Sequence, residues 1–186
     1  MGPSDANRIV LSVMGPHANE DTISIFHRKI DDIARIGKTL WLCASPSARP
    51  DRTQTFLSGS TSILFLAPAS RSGARPTTSA EAMTELSPNR LDWESLPAGL
   101  GPVTGRRVNA YAFVLSELTL CEPDHLLDLW QYVDAEKEGP IRFRLGSSTL
   151  LARRSNQTEH PMRMKSRIRR VLAVGRLEAP YAVWVR

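Results

Sequence analysis

Residues 9–67 decide how the chain reads. They open with Ile9-Val10-Leu11-Ser12-Val13-Met14, closed by Gly15-Pro16, and end with Ser62-Ile63-Leu64-Phe65-Leu66-Ala67. The first reads as a short buried strand and the second as an apolar run of strand length. Between them, Ile23, Phe26, Ile30 and Ile33 recur at i, i+3, i+7 and i+10. That spacing predicts one apolar stripe on a helix, with Arg28, Lys29, Asp31, Asp32 and Arg35 mostly off it. Asp21 or Thr22 suits the helix start and Gly37 its end. Thr39-Leu40-Trp41-Leu42-Cys43-Ala44 reads as a second strand, and Pro50 or Asp51 opens a short helix through Leu57. Strand, helix, strand, short helix, strand is the grammar of α/β and α+β folds.

Moving outward, residues 68–105 break this rhythm with Pro68, Pro76, Pro88, Pro97 and Pro102 and four glycines. They read as a long connection, with a short helix near Ser79–Leu86 and Trp93 as a docking point. Ala110 to Leu120 is strand-like. Pro123 and Asp124 start a short helix whose apolar face is Leu126, Leu129 or Trp130, and Val133. Ile141-Arg142-Phe143-Arg144-Leu145 alternates strictly, placing the arginines on one face of a strand. Thr149 to Arg153 is its hairpin partner. Val171–Leu177 and Tyr181–Val185 form a last hairpin around Glu178-Ala179-Pro180. The expected fold is a single α+β domain over 1–186. An N-terminal strand–helix–strand–strand region packs with a C-terminal, mostly antiparallel sheet, a small mixed barrel being one outcome.

Charge adds a polarity. Residues 141–186 carry eleven Arg or Lys and only Glu159 and Glu178, a net of +9, while residues 1–140 are −4. Arg outnumbers Lys twenty to four throughout the chain, so the ratio says less than the segregation. In Arg163-Met164-Lys165-Ser166-Arg167-Ile168-Arg169 the basic residues again fall at every second position. If this segment and 141–145 lie in one sheet, Arg142, Arg144, Arg163, Lys165, Arg167 and Arg169 share a face, with Arg170 beside them. Clustered arginine is a device for phosphate contact, and Tyr181 and Trp184 are candidate stacking partners for bases. The competing expectation is that this +9 end docks on the acidic half of its own chain.

Motifs of chemistry are missing. Gly37-Lys38-Thr39 lacks the upstream glycine of a phosphate-binding loop, since Asp32 stands there, and it closes a helix instead of opening one. Gly146-Ser147-Ser148-Thr149-Leu150 lacks the second glycine of a nucleophile elbow. His17, His27, His125 and His160 are scattered, so no metal site is assigned. Cys43 and Cys121 lie in apolar runs and read as buried free thiols. Asp124 suits a helix N-terminus, and a solvated face accounts for Asp31, Asp32, Glu122 and Asp128. No catalytic residue or cofactor follows from the sequence. No segment reads as a leader or a bilayer span, which makes a reducing, cytoplasmic location the expectation. The leading expectation is a non-catalytic nucleic-acid-binding protein, DNA or RNA, using the basic C-terminal face. Second stands an interaction or regulatory subunit whose basic end binds an acidic protein partner, and third an enzyme on a nucleotide or nucleic acid with the 68–105 loop as its lid.

Overall fold

The computed structural model describes residues 7–14, 21–43, 49–57, 59, 61–67, 111–141, 149–155 and 167–184. In chain order the elements are β1 (Arg8–Val13), α1 (Thr22–Ile36), β2 (Thr39–Cys43), α2 (Pro50–Phe56), β3 (Thr61–Leu66) and β4 (Tyr111–Leu120). There follow β5 (Leu126–Asp128), a 3-10 turn (Leu129–Gln131), β6 (Tyr132–Asp134), β7 (Thr149–Arg154) and β8 (Ile168–Trp184). The expected long connection, with Trp93, and the 141–145 strand beyond Ile141 lie outside the described residues.

All eight strands join one sheet, ordered β2-β4-β8-β3-β1-β7-β6, with β5 attached to β8. β1 and β3 run parallel and every other pair is antiparallel. The fold is α+β. Its N- and C-terminal strands interleave, however: β4 separates β2 from β8, and β8 lies between β4 and β3. The sheet stays open, which corrects the barrel alternative; β2 and β6 end the order without meeting.

The unalternated runs of β1 and β3 have a cause in the packing. Val10, Ile63 and Phe65 enter one core cluster with Ile25 and Phe26 of α1, Leu57 after α2, and Phe113, Leu115, Ala173 and Leu177. Their sequence neighbours Ile9, Leu11, Leu64 and Leu66 enter a second cluster with Leu129, Tyr132 and Ile141. Successive side chains alternate faces, so two covered faces demand an apolar residue at each position. In the first cluster Phe26, Trp41 and Phe65 form a ring triad, with centroid separations of 5.6, 5.3 and 4.3 Å.

Helix α1 starts and stops as its sequence dictates. The Asp21 carboxylate accepts the N–H groups of Ile23 and Ser24 and the Ser24 hydroxyl. Gly37, at φ 81°, occupies the left-handed cap and donates its N–H to Ile33 O. The buried stripe is rotated from the expected one. Ile23 is exposed, whereas Ile25, Phe26, Lys29 and Asp32 are buried. Asp32 is therefore not on a solvated face. Its oxygens take Arg35 at 2.9 Å, Thr39 Oγ1 at 3.2 Å and Lys29 Nζ at 3.9 Å, which compensates a carboxylate that burial would otherwise penalise.

Two further expectations are corrected. Residues 126–134 form strand, 3-10 turn and strand, not a helix. Leu126 and Leu127 pair with Arg170 and Arg169, and β6 pairs with β7, so tertiary partners take the backbone groups a helix would have used. Nor do residues 171–185 form a hairpin. β8 passes through Glu178-Ala179-Pro180 as one strand, and both of its parts pair with β4: Leu177 faces Leu115 and Ala182 faces Phe113. The extra residues of β8 form a bulge opposite Val114, with a cis Ala179–Pro180 bond and Tyr181 at φ 63°. β7, expected to partner 141–145, pairs with β1 on one side and β6 on the other. Among the described residues no helix is long and apolar enough to cross a membrane.

Candidate nucleic-acid interface

β4, the turn after it and β5 run consecutively along one side of β8. Cys121 N donates to Leu172 O, Val171 N to His125 O, and Leu129 N to Arg167 O. The result is a long ribbon along that side of β8, whose upper end joins Leu126–Asp128 to Ile168–Arg170. The 3-10 turn follows at once, its N-terminus closed by the Asp128 carboxylate, which accepts Trp130 N–H at 3.0 Å. β6 then pairs with β7, setting Tyr132 opposite Arg154.

Four arginines of the basic C-terminal region therefore meet the short segment 126–132. β8 and the residue before it supply Arg167, Arg169 and Arg170, and β7 supplies Arg154. Arg167 is fixed: its guanidinium lies 4.5 Å from the Trp130 ring centroid and donates to Ile141 O at 2.6 Å. That contact also brings residue 141 beside residue 167. Arg169 donates to its neighbour's carbonyl, Ile168 O, and Arg170 is exposed; neither forms an ion pair with a described residue. Glu122 and Asp124 are exposed on the turn that precedes β5, so acid is present at one end of the cluster.

Two other described arginines of this region are neutralised. Arg153 reaches Glu138 at 3.3 Å, and Arg176 reaches Glu117 at 2.7 Å. Docking of the basic end on the acidic half is thus real for these two side chains.

Of the residues expected to bind phosphates, Arg167, Arg169 and Arg170 all lie beside segment 126–132, Arg169 and Arg170 on opposite faces of the ribbon. Arg142, Arg144, Arg163 and Lys165 lie outside the described residues. Tyr181 and Trp184 belong to the opposite end of β8. There the Tyr181 hydroxyl donates to Gly59 O at 2.8 Å and its ring packs on the first core cluster, while Trp184 pairs through its backbone with Tyr111. Two members of the cluster escaped the sequence reading, Arg154 and Trp130. The Arg153-Arg154 doublet was a signal for the first. Trp130 was hidden because its spacing from Leu126 and Val133 fitted a helix face.

Elsewhere the charged groups serve structure. An open cleft of about 670 Å3 between α2 and the β6–β7 region is lined by Arg8, Arg52, Phe56, Asp134 and Glu136 among others. Arg52 is paired to Glu136 at 2.6 Å, Arg8 donates to Phe56 O, and Asp134 accepts the N–H groups of Glu136 and Lys137. The Cys121 thiol is free, and burial, reinforced by Glu122, pushes its pKa up, away from the thiolate a nucleophile needs. Burial also raises the Tyr132 phenol, against the opposing pull of Arg154. Among the described residues no group of three His, Cys, Asp or Glu could hold a metal ion. No protein-family model, curated protein or solved structure matches the chain.

Proposed function

We propose that the chain is a non-catalytic nucleic-acid-binding protein that contacts phosphates with the arginines around Trp130. The observation that carries this reading is a difference between arginines of one region. Arg153 and Arg176 are held by Glu138 and Glu117, whereas Arg169 and Arg170 form no ion pair with a described residue. Each pair cancels its arginine's charge locally, although an exposed pair is itself worth only about 0–1 kcal/mol. Arg169 and Arg170 have no such partner to give up when they meet a polyanion. Arg167 acts as a post that keeps the Trp130 turn and β8 in register, and the guanidinium geometry suits two-pronged contact with phosphate oxygens.

The test is charge reversal with a salt series. Arg169→Glu with Arg170→Glu lowers affinity for a mixed-sequence DNA or RNA strand by at least about a hundredfold at low salt, since two charge-assisted contacts worth about 1.5–3 kcal/mol each are lost. It also flattens the logarithmic salt dependence by about 0.7 per lost phosphate contact on a single strand. Unchanged affinity at low salt overturns the reading. An acidic protein partner, the other use of such a basic surface, gives a shallower salt dependence than a polyphosphate.

A further inference from the structure

Three large apolar side chains are conspicuously exposed among the described residues: Ile23 at 46%, Leu126 at 58% and Ile168 at 49%. The first stands alone at the start of α1. The other two are neighbours. Leu126 faces Arg170 and Asp128 faces Ile168, so in this antiparallel pair all four side chains share one face of the ribbon, with Leu126 and Ile168 on its diagonal. Leu127 and Arg169 take the other face, where Leu127 packs on the second core cluster. The exposed face therefore sets an aliphatic pair directly beside the cation of Arg170.

We infer that this face takes an unpaired base, so that the ligand is a single strand and not a duplex. The inference rests on the nucleic-acid reading above and adds the class of strand. Phosphates satisfy Arg170 and do nothing for Leu126 and Ile168. A duplex keeps its bases stacked and turns phosphates, sugars and groove edges outward. A single strand can turn a flat base face onto an apolar surface while its backbone tracks the adjoining cations. Among the described residues, the size of the patch favours a base over a protein partner. A stable protein interface covers about 800 Å2 on each side, and two aliphatic side chains amount to a small fraction of that. They match the face of one or two bases.

The experiment compares a mixed-sequence DNA oligonucleotide with its duplex by fluorescence anisotropy at matched salt. It uses the full chain and a Leu126→Ser, Ile168→Thr variant. Both side chains are exposed, and threonine keeps the strand preference of position 168. Leu126→Ser alone gives the same comparison should the double variant unfold. The expected result is tighter binding of the single strand. The substitutions weaken it by about tenfold, the size of a lost base contact, and leave the duplex affinity and the salt slope unchanged. Equal or tighter duplex binding overturns the inference and leaves the phosphate reading standing. So does a single-strand affinity that the variant does not alter. Binding of neither form at low salt overturns both.

Discussion

The two ends of β8 are built from one strand and have opposite surroundings. At the lower end Ala173 and Leu177 are fully buried between β3 and β4, Ala182 is fully buried beside β4, and Gly175 is pressed by Leu115 and Ile63. At the upper end β8 has the three residues of β5 on one side and only Ala67, whose N–H donates to Arg170 O, on the other, and Ile168 and Arg170 are exposed. The lower end can change only at the expense of the fold. The upper end carries side chains whose removal costs the fold little, and the proposed function depends on that end. Substitutions at the lower end should move stability, and those at the upper end should move binding.

The largest effect is expected in the ring triad. Phe65→Ala removes the ring that lies 4.3 Å from Trp41 and 5.3 Å from Phe26 and opens a cavity in a fully buried site. A loss of about 3–5 kcal/mol is expected, read as a drop in the urea midpoint without a change in slope. Gly175→Ala comes next. A Cβ there would stand 2.7 Å from Leu115 Cδ2, 2.8 Å from Ile63 Cγ2 and 3.3 Å from the Glu117 carbonyl. Overpacking of this kind costs about 1–3 kcal/mol. Seven positions up the strand, Ile168→Ala is expected to change stability by no more than about 0.5–1 kcal/mol. Equal losses at positions 175 and 168 would break the comparison between the two ends.

A smaller effect separates the two kinds of arginine. Arg176→Ala removes one exposed pair, to Glu117, and is expected to shift stability by at most about 1 kcal/mol. It also frees Glu117 on the sheet, at some distance along β8 from Arg170. Affinity for a nucleic-acid strand should therefore change far less than in the Arg169, Arg170 double reversal. If Arg176→Ala weakens binding as much as that reversal does, the upper end is not a distinct site.

The sequence conveyed each end to a different degree, for a physical reason. The lower end was legible because burial on both faces imposes composition. Ile9–Val13 and Ser62–Leu66 could be read as strands from their apolar runs, and α1 from Asp21 and Gly37, whose capping needs only local geometry. The burial of Lys29 and Asp32 was hidden, because it depends on Arg35 and Thr39 arriving as partners. The upper end was harder. Leu126, Leu129, Trp130 and Val133 have spacings that fit a helix face equally well, and only pairing with β8 and β7 makes them strand and turn. Glu178-Ala179-Pro180 has turn composition, yet it is a bulge in a strand whose two parts face one neighbour. Arg167, Arg169 and Arg170 were legible from charge alone, but their relation to Trp130 and Arg154 comes from chain segments far away in sequence.

The smallest effect is a pH dependence, and it probes the side of the fold nearest the upper end. Burial, with Glu122 adding to it, raises the Cys121 thiol above its ordinary 9.0, and burial raises the Tyr132 phenol above 10.0 although Arg154 pulls it down. In the unfolded chain both groups ionise at their ordinary values, while in the folded chain they hold their protons to higher pH. The unfolded state therefore binds fewer protons in this window, and stability falls as pH rises. The contribution of each group is fully present below its ordinary value and is lost as pH passes through the raised one. Thermal unfolding between about pH 8 and pH 11 should show a midpoint that declines in two overlapping steps. Cys121→Ser removes the earlier step and Tyr132→Phe the later one. Arg154→Ala, which takes away the opposing charge, pushes the phenol further up and steepens the later step. A later step unchanged in Arg154→Ala would mean that Arg154 does not act on the Tyr132 side of β6. The link between β7 and the Trp130 turn, on which the fourth arginine of the proposed interface depends, would then be lost.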